Sequence, residues 1–362
     1  MLGIYIHSPF CIKKCPYCDF YSVAANEGLI ERYFAALTQD LQRWSGKSLT
    51  ADTLYFGGGT PILLGTERIA FLIDTAKQSF GLEGAEITIE LNPESVSDKQ
   101  LEALAKQGVN RLSFGMQSAV NSELELLGRR HSAEQSLGII RAAQSLGFAN
   151  ISVDWMLGTP NQNDCSIKRT ADFINELDVQ HVSAYMLKLE EGTAFFEQRE
   201  TLNTADEDTL SDYYLLACEL LEAQGFAQYE ISNFAKASLK SRHNLKYWQL
   251  EDYLGFGPAA HSCFKGQRFY YPRDLHGYIA APQAVEDGFV GGEDEYIMLA
   301  LRLSEGILRK EWQVRFGGDI PSDLLRKAAE LEQHGLLVCN EEGFRLSRKG
   351  FLLSNAVITY LT

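Results

Sequence analysis

The sequence predicts an α/β fold: an incomplete six-unit (β/α)6 barrel of the TIM type, followed by a small winged-helix-like α+β module. Three observations predict it. Short strand-like runs alternate with longer amphipathic stretches six times before Met186. Polar, cysteine and glycine residues collect at the C-terminal ends of those runs, the face that carries the site in barrels. After about Gly291, three helix-like segments lead into a hairpin-like pair of strands.

Taken in order, GIYIH opens the series and is followed by an amphipathic segment from about Leu29 to Arg43. TLYFGGG precedes a helix near Glu67 to Gln78, and EITIELNP one near Asp98 to Lys106. RLSFGMQS leads into helical stretches reaching Ser145, ISVDWMLG into a helix near Ile167 to Glu176, and HVSAYML closes the set. The glycines of KQGV, SLGF and AQGF fall where helices end, in keeping with the left-handed C-terminal cap. An open doubly wound sheet would place ligands at the same strand ends; six units in a row favour the incomplete barrel. The rhythm breaks after Phe234, so the expected division is 1–234, an aromatic-rich connecting segment 235–290, and a tail 291–362. In the tail, EDEYIMLALRLS, Leu308 to Phe316 and Ser322 to His334 read as helices before GLLVCNEEGFRLSRKG. Its charges are mixed in sign, which favours a packing or partner-docking role over DNA binding.

The chain has 362 residues, 45% hydrophobic and 22% charged, a globular composition large enough for one sizeable core and a smaller domain. No apolar run approaches the roughly 20 residues needed to cross a bilayer. MLGIYIHSPF lacks a basic n-region. A cytoplasmic location is expected. The formal net charge of −15 opposes phosphate attraction, so no nucleic-acid partner is expected. Seven cysteines, four of them single (Cys165, Cys218, Cys263, Cys339), do not make a disulfide framework.

The other three, Cys11, Cys15 and Cys18, stand in HSPFCIKKCPYC directly behind the first strand. Zinc would need a fourth ligand, which His7 could supply, although C-x3-C-x2-C does not look like paired zinc knuckles. Three thiolates on one loop can instead hold three irons of a [4Fe-4S] cluster and leave the fourth open. Inert buried thiols are the third reading. Gly58, Gly59 and Thr60 follow a strand, where glycine permits close backbone approach to a ligand or merely a turn. Glu90, at the end of EITIEL, is placed to accept hydrogen bonds from ribose hydroxyls, or is a solvated strand end. GFGPAA, Gly255 to Ala260, imitates a dinucleotide fingerprint, but is read as lacking a preceding strand, and Pro258 stands where the helix should open.

C-x3-C-x-Tyr-C after a first strand resembles the radical S-adenosylmethionine (SAM) superfamily. The resemblance implies a [4Fe-4S] cluster whose open iron is chelated by the amino and carboxylate groups of SAM, with Tyr17 beside the adenine. It implies that the Gly58–Thr60 segment meets the methionine amino group and Glu90 the ribose. Gln117, Arg129 and Asp154 match polar SAM contacts of the coproporphyrinogen dehydrogenase-like branch, and Tyr5 the corresponding position in the first strand. YIHSPFCIKKCPYC, GGGTP, IELNPE, GMQS and GFGPAAHS carry that similarity through about the first 300 residues.

Two departures separate the chain from the decarboxylase of that branch: Asp19 and Phe20 stand where a further cysteine is found, and the first strand begins at residue 3 with no extension before it. Together with HNLKYW, His243 to Trp248, they resemble the HemW branch of heme chaperones. That resemblance implies heme as a third cofactor, with His243 as iron ligand and Tyr247 and Trp248 as flat apolar area for the macrocycle. Read from the residues alone, the same stretch is a helix start packed on the barrel, with His243 a satisfied core or capping residue. His261 and Cys263 are second-choice iron ligands. The implied activity is transfer of heme to acceptor proteins, membrane-associated heme proteins among them; the alternative is a radical SAM oxidoreductase acting on coproporphyrinogen III or a related small substrate. Oligomerisation is left open.

Overall fold

The computed structural model describes residues 1–236 and 238–362. Its main sheet has twelve strands, and the six expected runs form its centre: β1 (Leu2–Ser8), β2 (Ala51–Gly58), β3 (Glu86–Leu91), β4 (Arg111–Gln117), β5 (Ile151–Leu157) and β6 (His181–Met186). They lie side by side in chain order, all parallel. Crossover helices join them: α1 (Glu27–Gln42), α2 (Thr66–Phe80), α3 (Asp98–Lys106), α4 (Asn121–Leu126) with α5 (Ala133–Ser145), and α6 (Asp164–Leu177). Local chemistry sets their ends. Asn26, Ser132 and Asn163 accept hydrogen bonds from first-turn amides of α1, α5 and α6. Gly108, Gly147 and Gly225, the glycines of KQGV, SLGF and AQGF, all have positive φ where helices finish.

Side chains alternate across these strands, and the alternation divides the molecule into two environments. Ile4, Ile6, Leu54, Phe56, Ile87, Ile89, Leu112, Phe114, Ile151 and Val153 are buried in the apolar core, where the strands meet the helices. The intervening positions face the lumen and are polar, aromatic or glycine: a Cβ at Gly57 would lie 3.0–3.1 Å from Tyr5, Tyr55 and Glu90 of three adjacent strands. The strands are therefore apolar outside and polar inside.

The sheet continues past the six strands at both ends. β7 (Ala227–Gln228) and β8 (Asn233–Ala235) follow α7 (Glu207–Ala223), and β8 pairs antiparallel with β6. At the other end β9 (Tyr253–Phe256) runs parallel to β1, and β10 (His261–Phe264), β11 (Gln267–Tyr270) and β12 (Val285–Phe289) extend it antiparallel. Between the two groups α8 (Arg242–Trp248) crosses the base of the lumen. GFGPAA is corrected in one respect: a strand does precede it, since Gly255 lies in β9. The absence of a helix holds, because an antiparallel strand follows instead.

The tail packs α9 (Glu293–Ala300), α10 (Arg309–Phe316) and α11 (Ser322–Gln333) against a three-stranded sheet of β13 (Ile307–Leu308), β14 (Leu337–Asn340) and β15 (Gly343–Leu346). Two short helices, Arg348–Leu352 and Ser354–Leu361, end the chain and were not expected from the sequence. Trp312 anchors this module, 1% exposed and with its ring against Tyr296 and Phe316. Trp312→Ala is expected to cost about 3–5 kcal/mol, seen as an earlier unfolding transition in urea; an unchanged profile would show that this packing does not hold the module.

Candidate functional site

A cavity of about 560 Å³ opens at the C-terminal ends of β1–β6. Cys11, Cys15, Cys18 and Tyr17 line it on one side; Gly58, Gly59, Thr60, Glu90, Gln117, Arg129 and Asp154 line the rest. The structure thus gathers the cysteines and most of the expected SAM contacts around one space. Tyr5 is one position removed, behind the wall, where its hydroxyl meets His7 Nδ1 at 3.1 Å.

The cysteine loop is held by backbone. Gly59 N donates to Ser8 O (2.7 Å) and Thr60 N to Phe10 O (2.7 Å), so the glycine turn after β2 clips the chain on either side of Pro9. A Cβ at Gly59 would lie 2.6 Å from Phe10 O and 2.8 Å from Ser8 O, and one at Gly58, φ +101°, would strike the His7 ring. Both glycines are required by this close approach of one backbone segment to another. Two polar groups then reach sulfur: Thr60 Oγ1 lies 3.8 Å from Cys11 Sγ, and Arg129 Nη1 lies 3.7 Å from Cys15 Sγ. The Arg129 side chain is fixed by Asn92 Oδ1 (2.6 Å) and Gly115 O (2.7 Å), and Asn92 Nδ2 in turn donates to Thr60 Oγ1 (3.2 Å). Asn92 therefore ties together both donors to sulfur.

His7 turns away from the thiols. Its Nε2 donates to Tyr21 O (3.0 Å) and its Nδ1 accepts from Tyr5, so neither nitrogen is left for a metal. Burial pushes its pKa down to about 4. The three thiols share the cavity wall, with a cation on one sulfur and a hydroxyl on another. That donor set fits thiolates sharing an iron–sulfur cluster, which hydrogen bonds to sulfur tune.

Glu90 accepts from Tyr55 Oη (2.9 Å) and Gly58 N (3.1 Å). Burial, and next the charge of Asp154, push its pKa up to about 7. Asp154 is pushed up to about 6 by burial, against hydrogen bonds from Ser183 and Ser113 and the positive charges of Arg111 and Arg129. Gln117 ends β4 with φ +68°, after a register shift between Phe114 and Gln117. A buried non-glycine residue in this left-handed region is strained, and such strain is common where a side chain is aimed at a ligand. Tyr17 packs on Phe195 with its phenol pushed up by burial.

The residues expected to hold heme lie at the other end of the lumen. His243 is 1% exposed; Nδ1 pairs with Thr53 Oγ1 (2.7 Å) and Nε2 with Tyr247 Oη (2.8 Å). Its ring stacks on Tyr55 and Tyr5 at centroid distances of 5.2 and 6.3 Å. Burial pushes its pKa down to about 3, so it is a neutral imidazole at pH 7. Trp248 is half-buried, and Tyr247 stands edge-on to Tyr253. α8 is pinned by Lys246, buried against Asp52 and Glu251 at 2.8 Å each, and by Arg242 on Asp52 at 3.0 Å. His261 is exposed and stacks on Tyr270, whereas Cys263 is buried.

Sequence reasoning missed Asn92, Tyr55, Ser113, Ser183 and Arg111, all of which line the cavity. Most were within reach of strand parity: Arg111, Ser113 and Gly115 share the face of Gln117, and Tyr55 lies one strand from Glu90 with the same inward direction. Asp19, directly after the cysteine loop, meets Arg273 at 3.4 Å, and Phe20 is 64% exposed.

Residues 5–174 match the family model of the radical SAM superfamily, and residues 294–353 that of the HemN C-terminal domain. The heme chaperone HemW of Bacillus subtilis is 33% identical, covering 99% of this chain and 98% of its own. That of Mycobacterium tuberculosis is 35% identical, covering 99% and 94%. The mitochondrial radical S-adenosyl methionine domain-containing protein 1 of Bos taurus is 33% identical, covering 99% and 87%. Among solved structures, the coproporphyrinogen III oxidase HemN from Escherichia coli superposes with a TM-score of 0.85 at 21% identity, over 99% of this chain and 89% of that one, a likeness of fold.

Folding raises the Glu90 pKa from 4.5 to about 7, so its contribution to stability is full below about pH 4.5 and is lost as pH rises to 7, about 3 kcal/mol in all. Glu90→Gln is therefore expected to raise the melting temperature at about pH 8 and to flatten the decline from about pH 5; an equal or lower melting temperature at the higher pH would refute the assignment. On these sequence matches, with the fold they accompany, the chain belongs to the HemW-type family of the radical SAM superfamily.

Proposed function

We propose that the protein is a heme-binding chaperone that carries a [4Fe-4S] cluster on Cys11, Cys15 and Cys18, with SAM exchangeably bound at the fourth iron. The observation that carries the reading is the single cavity in which three thiols, two of them already met by Arg129 and Thr60, face Glu90, Gln117 and Asp154. Relatives named heme chaperones cover the chain from end to end and support heme as cargo. When bound, the cluster and SAM supply one-electron chemistry at the sulfonium. The residues around them would bind and shelter: Glu90 and Asp154 would accept hydrogen bonds from the ribose hydroxyls, Gln117 and Arg129 would hold polar groups of the amino acid, and Tyr17 would cover the adenine. Recipients are heme-accepting proteins, membrane-associated ones among them.

His243 is the iron ligand in this reading, with Tyr247 and Trp248 as the apolar wall. Neutral imidazole is the form that ligates iron. Both its nitrogens are engaged in this arrangement of α8, so Nε2 must exchange the Tyr247 hydroxyl for iron, and α8 must loosen from the base of the barrel as heme enters. The second reading, turnover of coproporphyrinogen or a related substrate, is favoured by the depth of the cavity, whose lining continues past Asp154 to Asn244 on α8.

The test is an anaerobic titration of heme into cluster-reconstituted protein, following the Soret band. Saturable one-to-one binding is expected, weakened about tenfold or more or spectrally altered by His243→Ala, and strengthened by Tyr247→Phe, which frees Nε2. Non-saturable binding would overturn the chaperone reading. Conversion of coproporphyrinogen coupled to SAM cleavage would replace it with the second.

A further inference from the structure

Asn92 is the first residue after β3, and the proline that follows it holds its backbone extended, at φ −99° and ψ 135°. Two bonds to Ser95 fix that backbone: Asn92 N donates to Ser95 Oγ (3.2 Å) and Ser95 N to Asn92 O (2.8 Å). β3 pairs with β4 at Leu91 and Phe114, which brings Asn92 level with Gly115. A side chain at that glycine would crowd the site, since a Cβ there would lie 3.1 Å from each of Asn92 Oδ1, Arg129 Nη2 and Gln117 Nε2. Gly115 thus leaves the space in which amide and guanidinium meet.

The amide can be turned only one way. Arginine carries donors and no acceptor, so the oxygen of Asn92 faces Arg129 Nη2 at 2.6 Å, and the second Nη2 hydrogen goes to Gly115 O at 2.7 Å. Both hydrogens of Nη2 are then occupied, and Nη1 is left to reach Cys15 Sγ at 3.7 Å. The amide nitrogen faces Thr60 Oγ1 at 3.2 Å as a donor. A hydroxyl has a single hydrogen to give, and with the amide donating to its oxygen, that of Thr60 is directed to Cys11 Sγ at 3.8 Å. One amide therefore sets the direction of both donors to sulfur.

We propose that Asn92 is a positioning residue for the iron–sulfur cluster: by accepting from Arg129 and donating to Thr60 it aims one hydrogen at each of two ligand sulfurs, and so raises the midpoint potential of the cluster without touching it. The inference rests on the cluster reading given above. Its sign follows from charge. Reduction adds one electron to the cluster, and hydrogen bonds to sulfur and a nearby cation favour the more negative state. An apolar residue at position 92 would free the guanidinium to swing and the Thr60 hydroxyl to rotate, and both sulfurs would lose donors. The two donors are linked through one side chain, so their effects on the potential must be coupled rather than independent.

The experiment is a reductive titration of cluster-reconstituted protein with dithionite and redox mediators, without SAM, read by the electron paramagnetic resonance of the reduced cluster. It compares wild type, Asn92→Leu, Thr60→Val and the double variant, with iron content and melting temperature measured on each. Asn92→Leu is expected to lower the ratio of reduced to oxidised cluster at a fixed potential about tenfold, a midpoint about 59 mV more negative. Thr60→Val is expected to shift it in the same direction, and the double variant to fall short of the sum. A wild-type midpoint in Asn92→Leu, or shifts that add in full, would overturn the proposal. If Asn92→Leu does not fold or holds no iron, the isosteric Asn92→Asp decides: its carboxylate still holds Arg129 but draws the Thr60 hydrogen to itself, so adding Thr60→Val should leave the midpoint where Asn92→Asp put it. A shift as large as Thr60→Val gives in the wild type would refute the role. If wild type itself takes up no iron, the cluster reading fails and the positioning role with it; a wild-type cluster whose midpoint ignores position 92 sinks only the role of Asn92.

Discussion

The site depends on how a parallel barrel treats its inner face. Because the six strands send alternate side chains to opposite sides, each can satisfy the helices with isoleucine, leucine, valine and phenylalanine while presenting something else to the lumen. Here the inner set includes tyrosine, serine, threonine, histidine, glutamate, aspartate, glutamine and glycine, with Arg111 at the foot of β4. Such a lumen cannot be packed dry at no cost, since buried polar groups need partners and buried charges need counter-charges. The polar interior is therefore held together by hydrogen bonds, Tyr55 to Glu90 and Ser152 to His181 among them, and its open end is the cavity.

The mouth and the base of that lumen are built differently. At the mouth the cysteine loop is clipped by backbone hydrogen bonds to the glycine turn, and the side chains that reach sulfur, Thr60 and Arg129, are both held by Asn92. Three ligands on one short loop are thereby fixed by a neighbouring strand end. At the base, α8 is attached by a buried lysine shared between two carboxylates and by a histidine with both nitrogens bonded. The two ends touch through aromatic rings. Tyr55 bonds Glu90 while stacking on His243, and Tyr5 bonds His7 while stacking on the same histidine. Any movement of α8 bears directly on the residues that support the cavity.

Much of this was legible in the sequence. The strand–helix alternation, the helix ends at Gly108, Gly147 and Gly225, and the gathering of Cys11, Gly58, Glu90, Gln117 and Asp154 at one face follow from periodicity and from the rule that parallel strands put their ends together. The aromatic segment after Phe234 was not legible as sheet, because β9 pairs with β1 across some 250 residues and its four residues carry no long alternation. The terminal helices beyond β15 are too short to announce themselves by pattern.

The sequence by itself determined the alternating chemistry of each strand and the spacing of the cysteines, because both are local: side-chain direction repeats every two residues, and a loop of eight positions cannot scatter its thiols far. Only the tertiary structure decided what those groups meet. The histidine before the loop could have been a fourth metal ligand, and it became a hydrogen-bonded core residue because Tyr5 and Tyr21 O reach both nitrogens. His243 sits at the base of the barrel and Cys15 at its mouth, a separation that sequence distance does not encode. Glu90 meets Tyr55 from the neighbouring β2 and the charge of Asp154 from β5, and partners that lie on separate strands exist only once the sheet has set their register.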